Sequence, residues 1–155
     1  MSEEEVKYYK ADIAGLYPIK VPQPEGEQTA YLLLLETAEW KDKALPIIIG
    51  ENEGLAIQSA LMGVKYERPM THDLIVSILD ALGVEVEKVS IDALLNNSVY
   101  TATIYLKRTV NGKVEEINVD SRPSDGIAIA VRTGSPIYVA AHLEKHARRL
   151  EELGI

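Results

Sequence analysis

The chain has 155 residues, 46% of them apolar and 26% charged, with a formal net charge of −8 and no cysteine. That length suits one domain, burying roughly 70% of the surface its unfolded form exposes, and the missing thiols exclude a disulfide framework, a thiolate zinc site and a cysteine nucleophile. The acidic start Met1-Ser2-Glu3-Glu4-Glu5 lacks the basic and apolar regions of a signal peptide, and no apolar run is long enough to span a bilayer, so a cytoplasmic protein without membrane contact is expected.

Val6 to Leu16 and Thr29 to Thr37 read as strands, separated by a loop at Pro18, Pro22, Pro24 and Gly26. Tyr31 to Leu35 is continuously apolar, which suits a central strand covered on both faces. After a polar turn at Lys41, Asp42 and Lys43, Leu45 to Ile49 is a short buried strand ending at Gly50. A first helix is predicted from Asn52 to Met62, stopped by Gly63, with Leu55, Ala56, Ile57, Ala60 and Leu61 on its buried stripe. A second starts near Thr71. Its Leu74, Ile75, Ile78, Leu79 and Leu82 form an amphipathic stripe, and Gly83 supplies the stop.

Val84 to Ile91 alternates as a half-buried strand does, Asn96-Asn97-Ser98 makes a turn, and a hairpin closes at Asn111-Gly112. A type I′ turn there pairs Val110 with Lys113. Leu106 then faces Ile117 and Ile104 faces Val119 on the core side, while Lys107 with Glu116 and Thr103 with Asp120 lie on the polar side. A third helix, about Asp125 to Thr133, is apolar nearly all round and should be deeply buried, ending at Gly134. A last strand, Pro136 to Ala140, precedes a charged helix from His142 to Leu153. These elements predict a single α+β domain with a mixed, largely antiparallel sheet packed with about four helices.

Two Arg-Pro helix entries concentrate the polar chemistry: Arg68-Pro69-Met70-Thr71-His72-Asp73 and Asp120-Ser121-Arg122-Pro123-Ser124-Asp125-Gly126. One reading is structural. Thr71 and Ser124 cap helices, Asp73 and Asp125 favour the positive helix ends, and Arg122 pairs with Asp120 and Asp125. The other is functional: Arg122 and Arg68 clamp phosphate, Asp120 and Asp125 with Glu53, Glu51 or Asp73 hold Mg²⁺ or Mn²⁺, and His72 serves as general base or ligand.

Other signals are thin. His142 and His146 have metal-compatible spacing, but Glu144 stands one place later than a zincin helix requires, so the pair reads as a solvated helix face. A phosphate-binding loop, a dinucleotide fingerprint and a nucleophile elbow are absent, and the eight tyrosines are scattered rather than interleaved with basic residues. The net charge opposes tight nonspecific polyanion binding, although an acidic site can reach phosphate through a divalent cation.

In combination, Leu45-Pro46-Ile47-Ile48-Ile49-Gly50-x-x-Glu53, Arg68-Pro69-x-Thr71-His72-Asp73-Leu74 and Asp120-Ser121-Arg122-Pro123-Ser124-Asp125-Gly126-Ile127-Ala128 resemble the bifunctional nuclease domain family across residues 8–143. The resemblance implies a compact α+β domain and nuclease activity on DNA and RNA, the label coming from plant members. Gly54 and Gly126 stand where it leads one to expect Ala, loosening two helix starts. The leading expectation is metal-assisted phosphodiester hydrolysis of weakly bound DNA or RNA. Asp120, Asp125, His72 and Asp73 would be catalytic, Arg68 and Arg122 would bind phosphate, and Asp120, Asp125 and Glu53 would hold Mg²⁺ or Mn²⁺, with no organic cofactor. The rivals are a noncatalytic homo-oligomeric module and a small-anion or nucleotide-binding regulator. A homo-oligomer, most simply a two-fold dimer, is expected.

Overall fold

A computed structural model describes residues 5–154. Its elements in chain order are β1 (Tyr8–Gln23), β2 (Gly26–Glu36), β3 (Lys43–Gly50), α1 (Glu51–Leu61), α2 (Thr71–Ala81), β4 (Glu85–Leu95), β5 (Val99–Val110), β6 (Lys113–Ser121), α3 (Pro123–Thr133), β7 (Ile137–Ala140) and β8 (Arg148–Arg149), with 3₁₀ turns at Ala141–His146 and Leu150–Leu153. The strands form one mixed sheet in the order β6-β5-β4-β7-β1-β2-β3-β8. Among the described residues only β4 and β7 pair in parallel. The expected α+β class and largely antiparallel sheet are what the chain forms. Among the described residues no helix is long and apolar enough to cross a membrane.

The hairpin register follows from its turn. Asn111 and Gly112 both take positive φ, 52° and 77°, as a type I′ turn requires, and the pairs Leu106–Ile117, Ile104–Val119 and Thr103–Asp120 follow. The expected proline loop near the N-terminus is instead strand. β1 continues through Pro18, paired with Tyr31, and Pro22, paired with Glu27, to a turn at Pro24 and Glu25. In this stretch β1 pairs only with β2, so a missing N–H can face the free edge without breaking the ladder.

The core lies between the sheet and α1 and α3. Leu33, Leu35 and Leu45 from the sheet are fully buried, as are Ile57 of α1 and Ile127 and Ala128 of α3. The two unexpected glycines permit this approach. A Cβ on Gly54 would drive into the ring of buried Tyr31, and one on Gly126 would come within 2.8 Å of Val89 Cγ1. Gly54→Ala is therefore expected to destabilise the protein. Overpacking costs about 1–3 kcal/mol, enough to cancel or exceed the ~1 kcal/mol of helix propensity gained. A thermal melt checks this, and a raised Tm would overturn it.

Three expectations need correction. On α1, Gly54, Ile57 and Ser59 are buried, whereas Leu55 and Leu61 are exposed, because the helix turns its Gly54 side to the sheet. On α2 the apolar stripe is only partly core: Ile75 is half-buried against the core and Leu79 is half-buried, whereas Leu74, Ile78 and Leu82 are exposed, and His72 is the helix's one buried residue. The segment His142 to Leu153 is not an α-helix. Leu143 and Ala147 are buried, and Arg148 and Arg149 pair with Ala44 and Lys43 to extend the sheet edge, so edge pairing outweighs helix propensity there.

Candidate active site

The N-terminal turns of α1, α2 and α3 meet over one cleft. Pro123 occupies the first turn of α3, where its fixed φ suits the helix and its missing N–H costs nothing. That places Asp125 at the third helical position. Its carboxylate accepts hydrogen bonds from Arg122 Nε to Oδ2 at 2.7 Å and Nη2 to Oδ1 at 3.1 Å. His72 Nε2 lies 2.9 Å from the same Oδ1. Arg122 Nη1 also donates to Glu53 Oε1 at 3.2 Å. Glu53, Arg122, Asp125 and His72 thus form one connected chain drawn from three helix starts.

A second pair braces it. Arg132 Nε donates to Asp73 Oδ1 at 2.6 Å, and Arg132 Nη1 donates to the Ala128 carbonyl at 3.0 Å. Asp73 Oδ2 accepts the Met70 N–H at 3.1 Å, the half of a capping box in which an acidic third residue reaches back to the N-cap. The Arg132 side chain is only 9% exposed, whereas that of Arg122 is 63% exposed. A cleft of about 560 Å³ is lined by Glu53, His72, Arg122, Asp125 and Arg132, with Leu55, Tyr66 and Met70 among its apolar wall.

These contacts set the charge states. Burial raises the Asp125 pKa, but the hydrogen bonds from Arg122 and His72, together with the Arg122 charge, outweigh it and hold the carboxyl below its ordinary value. The Arg132 hydrogen bond, aided by the Met70 N–H, holds Asp73 down as well. Asp125 in turn raises the Arg122 pKa. A carboxyl with a depressed folded-state pKa contributes stability above its unfolded pKa, near 4, and loses it as pH falls through the folded value. Urea unfolding is therefore expected to show wild type losing more stability between pH 5 and strong acid than Asp73→Asn loses, and equal losses would contradict the assignment.

The structure brings together four of the residues nominated from sequence, Glu53, His72, Arg122 and Asp125, with Asp73 beside them but tied to Arg132. It does not bring Asp120 or Arg68. Strand alternation decides Asp120. Ser121 faces α3, with Oγ 3.2 Å from where a Gly126 Cβ would stand, so Asp120 points to the opposite sheet face. There its pairing partner Thr103 donates to Asp92. The expected Arg122–Asp120 pair accordingly does not form. Arg68 is exposed and donates through Nε to the Glu67 carbonyl, and Glu51 is exposed at the first residue of α1. Thr71 and Ser124 are not N-caps, since the helices begin one and two residues earlier than such caps require, with Met70 and Arg122 in that position.

Arg132 escaped the sequence reading. A signal existed, because Arg132 follows Asp125 by seven residues and so lies on the same stripe of α3.

The family model of the bifunctional nuclease domain matches residues 32–151. The chain belongs to the bifunctional nuclease domain family. A Mycobacterium tuberculosis protein described as uncharacterized is 40% identical over 121 residues, which is 78% of this chain and 66% of that protein. The protein called bifunctional nuclease 2 is 32% identical over 122 residues in Oryza sativa subsp. japonica, covering 79% of this chain and 35% of the rice protein. Its Arabidopsis thaliana namesake is 32% identical over 111 residues, 72% of this chain and 33% of that protein. The chain thus spans just under two thirds of the bacterial relative and about a third of the plant ones. Glu53, His72, Arg122, Asp125 and Arg132 all fall within the segment that defines this bifunctional nuclease domain.

Proposed function

We propose that the cleft at the three helix starts hydrolyses phosphodiester bonds in nucleic acid. The observation that carries this reading is Arg122, a largely exposed guanidinium held at the cleft by Glu53 and Asp125, with the His72–Asp125 pair behind it. The names of the plant relatives agree with it. A planar guanidinium matches two phosphate oxygens. Ionised Asp125 only accepts, so neutral His72 carries its proton on Nε2 and keeps a lone pair on Nδ1. In the proposed step that nitrogen takes a proton from water, the water oxygen bonds to phosphorus, and the ester oxygen leaves with a solvent proton. The adjacent Asp125 charge stabilises the imidazolium formed, and Arg122 offsets charge building on phosphate.

Magnesium or manganese was the expected cofactor. The arrangement does not fit a ready-made site for either ion. Arg122 bridges Glu53 and Asp125, Asp120 faces away, and among the described residues no group of three His, Asp or Glu side chains is placed to share an ion. The test is cleavage of labelled single-stranded DNA, duplex DNA and RNA with Mg²⁺, Mn²⁺ or chelator, beside Arg122→Ala. Activity that copurifies and weakens in Arg122→Ala through a raised KM supports the reading. No cleavage under any condition, or cleavage indifferent to Arg122, overturns it.

A further inference from the structure

Helix α2 has the pattern of a core helix and the exposure of a surface one. Met70, Leu74, Ile78 and Leu82 recur every fourth residue and so form one ridge, and none of them is buried in the described fold. With Leu55 and Tyr66 on the cleft wall they are 45–67% exposed. Taking a side chain as on the order of 200 Å², these six show roughly 600 Å² of apolar surface. That is the upper end for a stable monomer, and it meets the apolar share of the ~800 Å² that each partner of a stable dimer buries.

We propose that the α2 ridge is a homodimer interface, with two copies of α2 packed antiparallel about a two-fold axis. Ridges of this spacing interdigitate with their own kind, and a two-fold axis makes one surface serve both partners. With the axis near Val76, Leu82 of each copy meets Met70 of the other, and Leu74 meets Ile78. No charge falls within the ridge. Asp80 lies on the other side of α2, toward Val84 and Arg132, and Asp73 is paired with Arg132, so neither carboxylate opposes this contact. Nucleic acid is a poor occupant for the same face, since α2 carries neither lysine nor arginine. Met70 belongs both to the ridge and to the cleft wall, so the second copy closes one side of the site described above.

Light scattering on the eluting full chain is expected to give twice the 17.1 kDa chain mass. Ile78→Glu should halve it with an unchanged circular dichroism spectrum, while Val114→Glu, at an exposed apolar position on β6, should leave it doubled. A monomer at the highest soluble concentration overturns the proposal, as does a dimer that survives both Ile78→Glu and Leu74→Glu. If these variants unfold, the lack of native cysteine offers a second route. Ser77→Cys, beside the axis, should be joined into a covalent dimer by a short bismaleimide, and failure to join it overturns the proposal.

Discussion

Asp125→Asn is expected to lower phosphodiester cleavage by about 10²–10³-fold, within the range that a positioned proton-transfer group supplies. Asparagine keeps the size and one acceptor but loses the charge. His72 then lacks the anion that favours its protonation, and Arg122 loses its bidentate partner. The loss should fall mainly on kcat, whereas Arg122→Ala should raise KM more strongly because its guanidinium is the part offered to phosphate. Little stability should change, since an exposed ion pair contributes on the order of 1 kcal/mol or less. Single-turnover cleavage under saturating substrate separates the two variants. Wild-type rates in Asp125→Asn would remove this cleft from the reaction.

Arg132→Met is expected to have the largest effect on folding. The guanidinium is almost fully buried and ties α3 to Asp73 at the start of α2. Its removal leaves the Asp73 carboxylate with the Met70 N–H as its remaining partner. Breaking a fully buried pair costs about 3–5 kcal/mol, and because Asp73 keeps 37% side-chain exposure, a loss nearer 2–3 kcal/mol is expected after solvent screening. For a chain of this length that lowers Tm by roughly 4–12 °C. Denaturant unfolding measures it, and adding Asp73→Asn to Arg132→Met should recover part of the loss. A double variant no more stable than the single one would show that packing, rather than the stranded charge, sets the cost.

Local rules made parts of this molecule legible in sequence. Asn111-Gly112 set the β5–β6 register because a two-residue turn leaves the pairing no freedom, and Gly134 marked the end of α3. Tertiary placement was less legible. Periodicity showed that α2 has an apolar ridge but not what lies beside it, and Leu74, Ile78 and Leu82 face outward. At the site, Asp125, Arg122 and His72 were found because they sit at helix entries. Asp120 is close to Arg122 in sequence but not in space, because strand alternation sends it to the far face. The Arg132–Asp73 pair joins residues of two separate helices, and no local pattern announces such a partner.

The four-residue strand β7 has a consequence for how the cleft comes into being. It joins β4 on one side and the first residues of β1 on the other, and among the described strands it bridges the N-terminal strands and the β4–β6 meander. Each set of hairpins can close locally, but the β1–β7 contact links nearly opposite ends of the chain, and contacts of that separation carry the entropy of closing a long loop. Glu53 precedes that junction and Arg122 and Asp125 belong to its other side. A polypeptide released before Ile137 would already hold every side chain of the cleft and still lack the strand that seals the two halves together.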